Sequence, residues 1–170
     1  MFTLYDSPTF SRAETWGIFA LFASFFLVIL ILAFAFYIIT AIFTALLFTK
    51  AGVDGKWRAW VPIYNTMIML KLGDINPWWW FIGFVPFGGS LVLAVFVVMS
   101  YYRINLKLGK SPVGFTILAA LLPFIWLIII SVDKSRWNAA AVPAPGWSHS
   151  ILADRVRFTG VPNQGYLAFR

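Results

Sequence analysis

The chain has 170 residues, of which 61% are hydrophobic and 11% charged, with a net charge of +7 and no cysteine. A soluble domain clothes its surface with roughly 25% charged residues, so this chain has to be solvated by lipid. The missing cysteines exclude a disulfide framework, a thiolate nucleophile, an iron–sulfur cluster and a Cys-type zinc site. The basic excess flanks apolar runs, which assigns it to anionic headgroups and leaves nucleic acid out.

The opening "MFTLYDSPTFSRAE" reads as a short polar arm over residues 1–15. From Trp16 the run is apolar on all sides, and no Asp, Glu, Lys or Arg occurs between Thr15 and Thr49. A helix over about residues 16–49 exceeds the roughly 30 Å hydrocarbon core at 1.5 Å per residue, so it must tilt, bend or project. It is also too long for a signal peptide, whose apolar region is roughly 7 to 15 residues, and is expected to stay in the mature protein. Ala20 with Ser24, Thr40 with Thr44 and Ala41 with Ala45 put small residues at four-residue spacing, a pattern that permits close helix contact.

Next, "KWRAWVPIYNTMIMLKL" predicts an amphipathic helix over residues 57–72, too short to cross. Trp57, Arg58 and Trp60 make it interfacial or re-entrant. Pro62 inside such a helix frees a carbonyl, which Asn65 or a neighbouring helix would satisfy. Trp78, Trp79 and Trp80 in "PWWWFIGFVPFGG" mark a bilayer boundary, because an indole buries its ring and keeps its N–H wet.

A helix over 77–107 is broken at 86–89, at Pro86 and the following glycines. Residues 77–102 either form one kinked span or a short half-helix that precedes the span proper. Arg103, Lys107 and Lys110 form a basic collar at one-turn spacing, offered to headgroups. The last span, 112–131, carries a mid-span Pro123. After it, residues 133–170 read as an Ala/Pro linker and a basic tail too poor in apolar residues to fold alone, with "ILADRVRF" as a short element for the membrane or a partner.

The expected fold is therefore an all-α integral membrane protein. It has about three transmembrane helices within a membrane domain at 16–132, an interfacial or re-entrant amphipathic helix, and a C-terminal tail. If all three long runs cross, Lys50, Lys56, Arg58 and Lys71 with five tail cations make nine on one side against four on the other. That favours an external N-terminus and a cytoplasmic C-terminus. A re-entrant tryptophan-rich half instead puts the collar and the Lys50 loop in the cytoplasm and the tail outside.

The ordered set "WRAWVPIYNTMIMLKLGDINPWWW", "LGKSPVGF" and "LLPFI" resembles a family of small bacterial multi-pass membrane proteins of unknown function, over Lys56 to Val132. A similar module occurs beside type I signal peptidases. The resemblance implies Trp57, Pro62, Tyr64, Asn65, Pro77, Trp78, Trp79, Trp80, Lys110, Gly114, Phe115 and Pro123 as the shared pattern. It implies no activity, and this chain lacks a polar domain to hold a signal-peptidase Ser/Lys pair.

Candidate chemistry is sparse. The single histidine, His149, reads as a surface residue, so no metal site, haem or other cofactor is expected. No Asp, Glu or His falls within a long run, which argues against a proton relay. Asp54, Asp74 and Asp133 sit at membrane edges, for capping or for pairing with neighbouring cations. The expected function is non-enzymatic: an accessory or structural subunit of a larger bacterial inner-membrane assembly, or a homo-oligomer. Its partners are lipids and other membrane subunits or itself. The alternative is a small channel or carrier for a lipid-like or neutral solute, because Pro62, Pro86 and Pro123 break helices as cavity-lining segments do.

Overall fold

A computed structural model describes residues 11–162; the first ten residues of the expected arm and positions 163–170 of the tail lie outside the described residues. The structure is all-helical, with no strand among the described residues. The chain divides into two units at Ile38/Ile39.

Helix α1 runs Arg12–Lys50. Ser11 starts it with a capping box: its amide donates to Glu14 Oε2 at 2.8 Å, and its hydroxyl accepts from the Glu14 amide at 3.3 Å. In the first unit every described side chain from 11 to 36 is exposed, the large apolar ones included. Of the small-residue pairs, Ser24 donates to the Ala20 carbonyl and Thr44 to that of Thr40, while Ala41 and Thr44 are also buried.

In the second unit, the last turns of α1 bury Ala41, Thr44, Leu47 and Phe48. A 3-10 helix at Lys56–Trp60 leads through extended Val61 into α2, Pro62–Leu72. Pro62 thus occupies the first helical position, where a missing N–H costs nothing, so the single helix expected over 57–72 is two pieces. The second half of α2, Met67 to Leu72, is buried in protein.

A further 3-10 helix, Pro77–Phe84, is capped by Asn76, whose side chain accepts from the Trp78 amide. The chain turns at Val85–Gly88, with Phe87 at φ 60 and Gly88 at φ 134, and enters α3, Gly89–Lys107. The break expected at 86–89 is therefore a reversal. The two arms lie antiparallel: Trp79 meets Phe96 edge-on at 5.6 Å, and Gly83 lies against Leu93.

Helix α4 (Pro112–Leu121) and helix α5 (Pro123–Val132) replace the expected span at 112–131. Pro123 opens α5, and Leu122 leaves the helical region at φ −135, ψ 64. The ends of this pair meet, because Lys110 and Asp133 form an ion pair. The 112–131 run is consequently a hairpin, not one straight span. By length and composition two helices are capable of crossing a membrane, Arg12–Lys50 and Gly89–Lys107.

One core joins the second unit: Leu47 and Phe48 from α1, Ile68 and Leu72 from α2, Ile104 from α3, Ala119 from α4, and Trp126 and Ile130 from α5. Asn105 is its polar fastener, accepting from Trp126 Nε1 at 2.8 Å and donating to Thr116 Oγ1 at 3.2 Å. The chain after Val132, expected to be unfolded, packs on this body through 162 and buries Val142, Ala153, Asp154 and Val161. Ile75 and Ala153 pair in an isolated antiparallel bridge.

Candidate functional site: a buried ion cluster

Where α2 ends and α3 ends, five charged side chains meet out of water: Lys71, Asp74, Arg103, Lys107 and Asp154. Asp74 stands at φ 64 in the turn after α2, a left-handed position that an Asp tolerates better than most residues. That turn swings its carboxylate onto α3. Its Oδ2 accepts from Arg103 Nε at 2.6 Å and Nη2 at 2.5 Å, and its Oδ1 from Lys107 Nζ at 2.5 Å.

Lys107 also donates to the Leu72 carbonyl at 2.6 Å and lies 5.6 Å from the centre of the Trp137 ring. Arg103 and Lys107 are one turn apart on α3, which is why one carboxylate serves both. The collar expected at the headgroups is therefore divided. Arg103 and Lys107 are buried in the protein, and Lys110 is half-buried beside Asp133.

The C-terminal segment closes the cluster. Asp154 Oδ2 accepts from Lys71 Nζ at 2.5 Å, and Lys71 donates again to the Val156 carbonyl. Trp147 Nε1 and the Asp154 amide both donate to the Asp74 carbonyl, at 3.1 and 3.3 Å. Burial pushes the Asp154 carboxyl up, against the pull of Lys71. Charges this deep persist only when paired and hydrogen-bonded, and here the bonds close within the chain.

A second cluster sits beside it. Lys50 Nζ donates to Asp133 Oδ1 at 2.7 Å and to the Ile130 carbonyl at 2.7 Å, while Lys110 pairs with the other carboxylate oxygen. Burial pushes the Asp133 carboxyl up, but hydrogen bonds from Lys110, Lys50 and Ser135 outweigh it and hold it well below the usual carboxylate range. A depressed carboxyl contributes stability that is present above its ordinary value of 3.8 and is lost as pH falls toward the folded value. Acid titration of the protein in nanodiscs should therefore lower its melting temperature below about pH 4. Asp133→Asn should be less stable at neutral pH and show a shallower acid limb; an unchanged acid limb would mean that the latch contributes nothing.

The remaining expected site residues are dispersed. Trp57, Trp60 and Trp78 are exposed, as interfacial rings would be, and Trp79 and Trp80 are half-buried. Trp79 Nε1 donates to the Ile151 carbonyl at 3.2 Å, and Trp80 packs edge-on against Phe81 and Phe84 at 5.2 Å. Arg58 donates to the Thr159 carbonyl at 2.6 Å with its guanidinium 5.7 Å from the Trp57 ring centre. Asn65 reaches back at 3.4 Å to the Ala59 carbonyl, tying the 3-10 helix to α2. Pro62 and Pro123 start helices, and Pro86 lies in the reversal.

Sequence reasoning missed Lys71, Asp154, Asn105 and Trp126 as organising residues. Exposed His149 lines a shallow cavity of about 350 Å³ with Asn76, Ser150 and Arg155. Among the described residues no group of three His, Cys, Asp or Glu is placed to hold a metal ion. The arrangement gathers cations and carboxylates to tie helix ends together.

No curated protein and no solved structure matches this chain. Residues 57–140, from the 3-10 helix before α2 through α5, match a family of unknown function (DUF5684).

Proposed function

We propose that this chain is a non-enzymatic protein of the bacterial cytoplasmic membrane that acts as an accessory or structural subunit, in a larger assembly or in a homo-oligomer. The observation that carries the reading is the first unit. Trp16, Phe22 and Phe34 are 68%, 69% and 61% exposed on a helix that is apolar on every side. Such a helix needs lipid or a neighbouring helix, and at about 58 Å α1 has more apolar length than one hydrocarbon core covers. The polar groups of the second unit support the same reading, because they hold helix ends together. The resemblance to a module beside type I signal peptidases points to an envelope assembly as the place to look.

The carrier reading needs the helix breaks to line a cavity. Phe87 and Leu122, at two of the three breaks, are 107% and 50% exposed, and Pro62 at the third is exposed as well, which weighs against it. A tagged copy extracted from its native membrane into nanodiscs should bring a stoichiometric partner, or a second copy, identifiable by mass spectrometry. A lone monomer that moves a neutral solute across liposomes would replace this proposal with the carrier.

A further inference from the structure

We infer that the second unit enters and leaves the bilayer from one face, as two hairpins whose apolar tips sit in the lipid. The loop after α1, the α3–α4 loop and the C-terminal segment then share one aqueous side. The inference goes beyond the proposed function, which needs only that the protein resides in the membrane.

In both hairpins the two charged ends meet. The first hairpin is Pro77–Phe84 followed by α3, and its two ends are pinned by Asp74 on Arg103 and Lys107. The second is α4 followed by α5, and its ends are pinned by Lys110 on Asp133. Lys50, at the end of α1, bonds to the same Asp133, and Asn138 donates to the Lys107 carbonyl at 2.8 Å. If the three long runs each crossed, a bilayer would separate Lys50 and Lys71 from Arg103, Lys107 and Lys110. No bilayer fits between groups that share a carboxylate.

Lengths agree. The whole of α3 has the length of a crossing, but its part beyond the pinned Arg103, back to Gly89, is about 21 Å of helix, and each ten-residue arm of the second hairpin is about 15 Å. Both are shorter than the roughly 30 Å core, so a hairpin held at its charged end stops within it.

The tips are built for lipid. No charged residue occurs from Ile75 to Tyr102 or from Ser111 to Val132. Phe84 and Phe87 at one tip and Leu121 at the other are exposed. Trp78 stacked on Phe81, with Trp80 edge-on to the same ring, leads toward the first of them. Charge is therefore segregated along each hairpin, paired at one end and absent at the other. With both tips in lipid, every lysine and arginine from Lys50 to Arg157 falls on a single side, which the positive-inside rule assigns to the cytoplasm.

The chain has no cysteine, so single-cysteine variants need no altered background. Lys56→Cys, Ser111→Cys, Lys134→Cys and Phe87→Cys all replace exposed residues. Each would be challenged with a membrane-impermeant maleimide in spheroplasts and in inverted vesicles. Positions 56, 111 and 134 should react strongly in inverted vesicles and at background in spheroplasts, and position 87 in neither until detergent is added. Reaction of 111 or 134 from the face opposite to 56 would overturn the inference, as would reaction of 87 in spheroplasts. Oxidative cross-linking between copies through position 87 would give the tip to self-association instead of lipid. If Ser111→Cys fails to accumulate, exposed Val113→Cys in the first turn of α4 answers the same question.

Discussion

Asp74→Asn should destabilise the protein by about 3–5 kcal/mol, the cost of leaving buried cations without their counter-ion. Asparagine separates charge from backbone, because it also tolerates the left-handed conformation that Asp74 adopts at φ 64. What it loses is the carboxylate that faces Arg103 and Lys107, both buried. Thermal unfolding in nanodiscs would report the change, and removing both cations with Arg103→Met and Lys107→Met in the Asp74→Asn chain should recover much of it. Asp74→Asn within about 0.5 kcal/mol of the parent would show that water reaches the cluster and that the staple is weak.

Gly73→Ala should cost at least about 1–3 kcal/mol by overpacking. Its φ is an ordinary −87, so the demand is for space alone. A Cβ there would fall 2.2 Å from Ser100 Oγ and 2.3 Å from Ser100 Cα. A side chain can rotate away, but a Cα cannot, so α2 and α3 would have to separate where Ser100 donates to the Met69 carbonyl. Ser100→Gly in the Gly73→Ala chain should therefore rescue it only in part. Gly17→Ala is the control: nothing lies within 4 Å, and alanine in a helix is worth roughly 0.5–1 kcal/mol over glycine. Equal melting temperatures for the two alanine variants would mean that the contact between the turn and α3 is loose.

The punctuation of the fold is legible in the sequence, and its direction is not. Pro62, Pro86 with its glycines, and Pro123 each mark a place where a helix stops or starts, since a missing N–H and a freed φ act locally. Whether the chain then continues or turns back depends on contacts far away. A run such as Ser111 to Val132 has the length of one crossing and equally of two ten-residue arms, and apolar periodicity cannot separate them. Lys110 and Asp133, of opposite sign at its two ends, are the signal that could have done so. The ion cluster was hidden for the same reason. Arg103 and Lys107 at one-turn spacing look like a headgroup collar until Asp74 is placed opposite them, 29 and 33 residues earlier in the chain. The closing segment has too little apolar mass to fold alone and is ordered by what it meets: Lys71, the Asp74 carbonyl and the core on which Val161 and Phe158 pack.

The two buried carboxylates also differ in when they become available. Asp74 is already made when Arg103 and Lys107 are synthesised, so the staple closes over a short loop. Lys71 waits for a counter-ion 83 residues later. Until Asp154 emerges, the growing chain carries an ammonium without its counter-ion, which keeps the site wet. The C-terminal end of α2 is thus the last place to dry, and the larger loop closure slows that step. A nascent chain stalled short of Asp154 lacks the Lys71 counter-ion, the Arg58 bond to the Thr159 carbonyl and the burial of Val161, and leaves an open, hydrated lysine where the mature protein is sealed.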